Sequence, residues 1–134
     1  SVNSEAIKNK NIVRDIIKKF GAQCLIVSVD YKSNEKGEKE VWINSGKQNT
    51  KIKLNENLKK LNDEGVGEIL LTSIEHDGMM NGYDTNTIKF VNKSFDFNVI
   101  ASGGAGNKNH VLDTIKKCNL NAICCSLRVC CIVE

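Results

Sequence analysis

The chain has 134 residues, a formal net charge of +3, 5% aromatic residues, no Pro and six Cys. That length suits one domain or a piece of one, and falls short of the roughly 200 residues a closed eight-stranded α/β barrel needs. Lysines scattered along helices and scarce aromatics speak against a nucleic-acid surface, and no run approaches the ~18 apolar residues of a membrane span.

Taken in chain order, Ala6 to Phe20 carries Ile7, Ile12, Val13, Ile16, Ile17 and Phe20 near a 3.6-residue period, which predicts an amphipathic helix stopped by Gly21. Cys24 to Val29 is apolar and of strand length, ending at Asp30. From Tyr31 to Ser45 the alternation Glu40-Val41-Trp42-Ile43-Asn44 and the turn-like Asn34 to Gly37 predict a small β-hairpin over the strand end. Asn55 to Glu64 reads as a helix with Leu58 and Leu61 inward. Glu68 to Ile74 is the second strand, and Asp84 to Lys93 a helix with Asp84 as its N-cap. Val99 to Ser102 is the third strand, Asn107 to Cys118 a helix, and Ala122 to Leu127 a fourth strand. The alternation predicts parallel strands joined by right-handed crossovers, in a single domain over residues 1–134.

The cysteines are Cys24, Cys118, Cys124, Cys125, Cys130 and Cys131. They lack the C-x2-C spacing of a zinc knuckle, so buried thiols in a reducing, cytoplasmic compartment are expected, with no metal and no cofactor. No signal peptide is visible in the sequence. His76 and His110 are expected to be exposed and receive no role.

Chemistry concentrates at strand ends. Asp30 closes an apolar strand, where a carboxylate near low-dielectric walls suits proton transfer; the same position suits a turn or cap Asp. Thr72 and Ser73 end the second strand and Ser102 the third. Asp77-Gly78 and Gly103-Gly104-Ala105-Gly106 follow apolar strands and precede helices, an arrangement that suits a phosphate; most such Gly pairs mark only turns.

Several short segments together resemble one family. They are Phe20-Gly21-Ala22-Gln23, Val27-Ser28-Val29-Asp30, Ser45-Gly46-Lys47-Gln48-Asn49-Thr50, Gly65-Val66-Gly67-Glu68-Ile69-Leu70-Leu71-Thr72-Ser73-Ile74, Asp77-Gly78, Gly82-Tyr83-Asp84 and Ala101-Ser102-Gly103-Gly104-Ala105-Gly106. In this order they resemble the cyclase subunit of imidazole glycerol phosphate synthase, of histidine biosynthesis. The resemblance implies half of a (β/α)8 TIM-type barrel: its carboxyl-terminal four parallel strands with crossover helices plus the small hairpin, a fragment of a longer barrel. Ser1-Val2-Asn3-Ser4 then matches the end of the strand before.

In that family two facing aspartates serve the reaction of ammonia with a bis-phosphorylated ribulosyl aminoimidazole carboxamide nucleotide. The resemblance makes Asp30 one of them; the other lies on a strand this sequence lacks, so the isolated chain is expected to be nearly inactive. It further implies substrate contacts at Ser45, Thr72, Ser73, Asp77 and Ser102. Phosphate contacts are implied at Gly78, Gly103, Gly104, Cys125 and Ser126, with a second phosphate near Asn3 and Ser4. Glu68, at the other end of its strand, matches a charged gate for ammonia arriving from a glutaminase subunit. Otherwise Glu68 is expected to pair with Lys or Arg.

Two alternatives stand beside this. One is a paralogue serving amidotransfer in surface-polysaccharide sugar synthesis, which Met79-Met80 and the Trp42 hairpin fit equally well. The other is a half-barrel that binds phosphate without catalysis. Four strands without their partners leave open edges, so self-association is expected. The tail Arg128 to Glu134 departs from the family pattern.

Overall fold

Burial along the strands alternates with period two, as side chains pointing to opposite sides of a pleated sheet require. In the computed structural model, which describes residues 4–9 and 11–125, β1 (Ile26–Ser33) buries Val27, Val29 and Tyr31. β4 (Glu68–Ser73) buries Ile69, Leu71 and Ser73, and β5 (Asn98–Ser102) buries Val99 and Ala101. The chain runs α1 (Ser4–Lys8), α2 (Ile12–Phe20), β1, β2 (Lys39–Ile43), β3 (Gln48–Lys53), α3 (Leu54–Asp63), β4, α4 (Thr85–Ser94), β5, α5 (Lys108–Cys118) and β6 (Ala122–Ile123).

One sheet holds all six strands in the order β3-β2-β1-β4-β5-β6. The β1, β4, β5 and β6 neighbours are parallel, while β2 and β3 are antiparallel additions at the β1 edge. The four parallel strands and the alternation of strands with helices agree with the half-barrel expectation.

A single core cluster runs from Ala6 and Val13 through the buried strand face to Ile88, Val91, Val111 and Ile123 of the later elements. α4 packs against α5 and β5, and α5 against β6. The opposite face of the parallel strands carries Ile26, Ser28, Asp30, Glu68, Leu70, Thr72, Ile100, Ser102 and Ala122, all partly exposed, and Asn98, which is exposed. In a closed barrel this face points inward and is filled by layered side chains.

Three sequence expectations are corrected. The first helix is two helices, one ending at Lys8 and one beginning at Ile12; between them Asn9 Oδ1 accepts the Asn11 amide at 3.1 Å, and Asn side chains compete with helical bonding in this way. The first strand begins at Ile26 after a 3-10 turn over Ala22–Cys24, and it continues three residues beyond Asp30. The hairpin is larger than expected and joins the same sheet, with β2 paired to β1 and a further strand, β3, at the edge. Residues 1–3 lie outside the described residues, and Ser4 opens α1. Of the fourth strand, Ala122–Ile123 is described; Ser126, Leu127 and the tail lie outside the described residues.

Candidate active site

The register of the parallel strands brings three of the candidate side chains into one row. Asp30 is the partner of Thr72, and Thr72 the partner of Ser102. Register partners point to the same side, so all three stand on the uncovered face near the carboxyl ends of their strands. With strands spaced ~4.8 Å apart, the row spans roughly 10 Å from Asp30 to Ser102. The antiparallel pairing extends it outward through Trp42, the partner of Asp30, and Asn49, the partner of Trp42. A carboxylate in line with two hydroxyls on a half-buried sheet can exchange a proton with a ligand and hold its polar groups at the same level.

Ser45 sits at the exposed turn between β2 and β3 with φ of 57°. The next residue, Gly46, comes against Ile74 just after β4: a Cβ there would meet Ile74 Cδ1 at 3.3 Å. The turn is thereby carried to the rim of β4.

Ser73 follows Thr72 and therefore faces the other way. It is 2% exposed, and its Oγ lies 2.8 Å from His76 Nδ1. It belongs with the buried face and is not brought to the Asp30 row. His76 and His110 are partly buried rather than exposed as expected. His110 Nδ1 accepts the Gly106 amide at 3.3 Å, and its own amide caps on Asn107 Oδ1 at 3.0 Å. Each imidazole is drawn in by a short local loop that gives its nitrogen a partner.

The loop after β4 and the loop after β5 lie backbone against backbone. Gly103 has φ of 89° and Gly104 φ of 114°, and a Cβ on Gly103 would stand 2.5 Å from Ser73 O. A Cβ on Gly104 would overlap the Gly82 carbonyl, and one on Gly106 the Met80 carbonyl. The Gly82 amide donates to Gly104 O at 2.9 Å. These glycines are required by the close approach of two loops. Among the described residues the Gly104 and Ala105 amides meet no acceptor, which leaves donors of the kind an anion takes. Asp77 and Gly78 are exposed in the loop facing them; Asp77 N donates to Ser73 O at 3.0 Å, and Gly78 adopts φ of 77° in open space. Cys125 is partly buried, its Sγ 3.5 Å from the Tyr83 hydroxyl, which also donates to Cys124 O at 3.0 Å. Ser126 and Asn3 lie outside the described residues, and of Ser4 only its backbone place in α1 is described.

Glu68 stands at the opposite, amino-terminal end of β4, on the uncovered face, in register with Ile26 and Asn98. Among the described residues no ion pair engages it, so the Lys or Arg pairing expected otherwise is not made there. No group of three or more His, Cys, Asp or Glu side chains among the described residues could hold a metal ion. No described helix is long and apolar enough to cross a membrane.

Sequence reasoning left several residues of this neighbourhood without a role. Asp84 was expected as a helix cap, and its carboxylate does accept the Thr87 amide at 3.2 Å. It also accepts the Tyr31 hydroxyl at 3.0 Å and the Thr87 hydroxyl at 2.7 Å, and stands 3.4 Å from Lys39 Nζ. Burial pushes its pKa up, but the Thr87 hydroxyl and amide, Lys39 and the Tyr31 hydroxyl outweigh that and hold it below the usual Asp value. Burial, then the Asp84 charge, push the Tyr31 hydroxyl well above its ordinary value, so it stays a donor. The Gly82-Tyr83-Asp84 motif was visible in the sequence, but its partners lie on β1, β2 and α4 and in the segments after β5 and β6. Glu75 adds a tie between the loop and the end of β1 by accepting the Ser33 amide at 3.1 Å and its hydroxyl at 2.8 Å.

Comparison with known proteins points to one family. A family model described as histidine biosynthesis protein matches residues 1–127. The chain is 43% identical over 116 residues to the imidazole glycerol phosphate synthase subunit HisF of Hydrogenobaculum sp. (strain Y04AAS1), covering 87% of this chain and 46% of that relative. It is 47% identical over 106 residues to the subunit HisF of Natranaerobius thermophilus, covering 79% and 42% respectively. With the subunit HisF of Lactococcus lactis subsp. cremoris (strain SK11) it shares 41% over 123 residues, covering 91% and 48%. The chain thus spans a little under half the length of the curated relatives it matches.

Proposed function

We propose that this chain, which belongs to the histidine biosynthesis protein family, is the carboxyl-terminal half of the cyclase subunit of imidazole glycerol phosphate synthase. One observation carries the chemistry: Asp30, Thr72 and Ser102 share a register row on the uncovered sheet face, beside a glycine loop with unengaged amides. Asp30 would exchange protons with the substrate from one side while a second acid, on the missing amino-terminal half, works from the other. Thr72 and Ser102 would hold polar groups of the substrate. Gly78, Gly103, Gly104, Cys125 and Ser126 would bind one phosphate, and Asn3 and Ser4 would lie near the second. Ser45, Ser73 and Asp77 complete the proposed substrate contacts, Ser73 through His76 and the loop it braces rather than by facing the row.

The reaction consumes ammonia from a glutaminase subunit docked at the Glu68 end. Ammonia adds to the ribulosyl ketone and water leaves as an imine forms. The C–N bond to the aminoimidazole carboxamide ribonucleotide then breaks, and ring closure gives imidazole glycerol phosphate. The setting is cytoplasmic, and open strand edges make the isolated chain self-associate. A second reading, a cyclase paralogue serving amidotransfer in surface-polysaccharide sugar synthesis, fits the exposed Met79 and Met80 and the Trp42 hairpin at least as well.

The test is to combine this chain with the amino-terminal half of the Hydrogenobaculum relative and assay ammonia-dependent formation of imidazole glycerol phosphate. Product from the mixture, none from either half, and loss of product in Asp30→Asn are expected. Phosphate binding without turnover would leave a non-catalytic half-barrel. A chain that stays a monomer in sedimentation at high concentration would refute the self-association.

A further inference from the structure

Outside the Asp30 row, on the helix-covered side, one carboxylate gathers partners from three elements. As an N-cap, Asp84 needs only the Thr87 amide, which its Oδ1 accepts. Its Oδ2 instead takes the Tyr31 hydroxyl from β1, the Thr87 hydroxyl from α4 and the Lys39 ammonium from β2. The Asp84 side chain is 13% exposed and that of Lys39 32%, so the pair is shielded more than an ordinary surface pair. Lys39 Nζ also lies 5.9 Å from the centre of the Tyr31 ring, placing the cation against both the ring and the carboxylate.

These contacts have consequences on the other face of the sheet. Lys39 opens β2 and is the partner of Ser33, the last residue of β1. Three residues further along β2, Trp42 is the partner of Asp30. Tyr31 is the immediate neighbour of Asp30, pointing to the opposite side. Wherever Lys39 and Tyr31 are held, the strand segment bearing Asp30 and the wall bearing Trp42 are held as well. The loop bearing Asp77 and Gly78 has its own anchors, from the Gly82 amide to Gly104 O and from the Tyr83 hydroxyl to Cys124 O.

We infer that Lys39 and Asp84 are positioning residues that lock the β2–β3 hairpin onto the strand carrying Asp30, with Tyr31 clamped between them. This rests on the proposed role of Asp30 for its catalytic consequence, but the lock itself does not. The lock acts on Asp30 and leaves the glycine loop in place, so it governs turnover rather than substrate affinity.

The single tryptophan of the chain is Trp42, which makes the hairpin its own reporter. The variants are Asp84→Asn, Lys39→Met, Lys39→Arg and the double variant Asp84→Asn/Lys39→Met. Asn caps a helix as well as Asp does, so α4 keeps its start while the ion pair is lost. In the 134-residue chain, Asp84→Asn and Lys39→Met are each expected to shift Trp42 emission to longer wavelength and raise its quenching by acrylamide. The double variant should go no further, because the two groups act as one unit. Lys39→Arg should restore the parent signal. In the barrel completed with the relative's amino-terminal half, each single variant should lower kcat about tenfold with KM moving less than about threefold. Unchanged Trp42 emission and quenching in both single variants would overturn the lock, as would additive effects in the double variant. If the completed parent barrel forms no product, the proposed function falls and the Trp42 signals still decide the lock.

Discussion

Gly104→Ala tests the loop packing on which the proposed phosphate cradle depends. At φ of 114° an alanine is strained, which costs about 1–3 kcal/mol. Its Cβ would overlap the Gly82 carbonyl and lie 3.0 Å from Tyr83 N, both backbone atoms that cannot swing aside as a side chain can. Forcing extra volume into such a contact costs about 1–3 kcal/mol more, and the Gly82-to-Gly104 hydrogen bond of 2.9 Å is displaced with it. The total, about 2–6 kcal/mol, is a large part of the roughly 5–15 kcal/mol that a domain typically has. Gly37→Ala is the control: φ is 77° and no atom lies within 4 Å, so only the conformational cost applies, partly offset by a stiffer unfolded chain. In urea unfolding, a difference of about 3 kcal/mol at a slope of ~1.5 kcal/mol/M separates the two midpoints by about 2 M. Equal midpoints for the two variants would refute the packing of the loop after β4 onto the loop after β5. The need for glycine at 103, 104 and 106 would then lose its physical basis.

Two further outcomes follow from the same structure. The folded-state pKa of Asp84 lies below its unfolded value, so its stabilising contribution is complete above about pH 4 and fades as the pH falls through the depressed folded value. Asp84→Asn should flatten that part of an acid-unfolding curve, and a curve of unchanged shape would show that the carboxylate is not held down by its partners. Among the described cysteines, Cys24 is exposed, whereas Cys118 is buried and its thiol is pushed up by that burial, so a disulfide reagent should modify Cys24 first in the native chain. Peptide mapping that finds Cys118 labelled as fast as Cys24 would contradict the burial of the α5 end.

What the sequence disclosed depended on whether a signal was local. The runs Glu68 to Ile74 and Val99 to Ser102 were legible as strands because parallel strands are apolar on both faces, but that same uniformity hid their phase. Thr72 and Ser73 therefore looked equivalent as ligands, and the register separates them by a whole sheet face. β3 escaped because Gln48–Lys53 is polar, with one apolar residue, Ile52, and finds its place by pairing with β2. The cap at Asp84 was legible from its neighbours, whereas its bonds to Tyr31 and Lys39 cross 53 and 45 positions of chain and leave no local trace. The glycines at 103, 104 and 106 announced a tight backbone; which backbone they meet is a fact of tertiary packing.

On the proposed function, the uncovered face explains why the chain would need an amino-terminal half for more than a second acid. Its side chains form three levels: Ile26 with Glu68 and Asn98, then Ser28 with Leu70, Ile100 and Ala122, then Asp30 with Thr72 and Ser102. Glu68 and Thr72 are four residues apart on one strand, roughly 13 Å at ~3.3 Å per residue. Charge sits at one end and hydroxyls with a carboxylate at the other, with a middle level of Leu70, Ile100 and the small Ala122 and Ser28. On the proposed function, ammonia released at the Glu68 end must cross that middle level to reach the Asp30 row. A closed barrel turns the crossing into an enclosed path, whereas a half-barrel leaves it a groove open to water, where ammonia escapes or is protonated. Supplying free ammonia at high pH to the completed barrel should therefore bypass the glutaminase, while supplying it to the isolated chain should not restore turnover, because both the path and the facing acid are lost together.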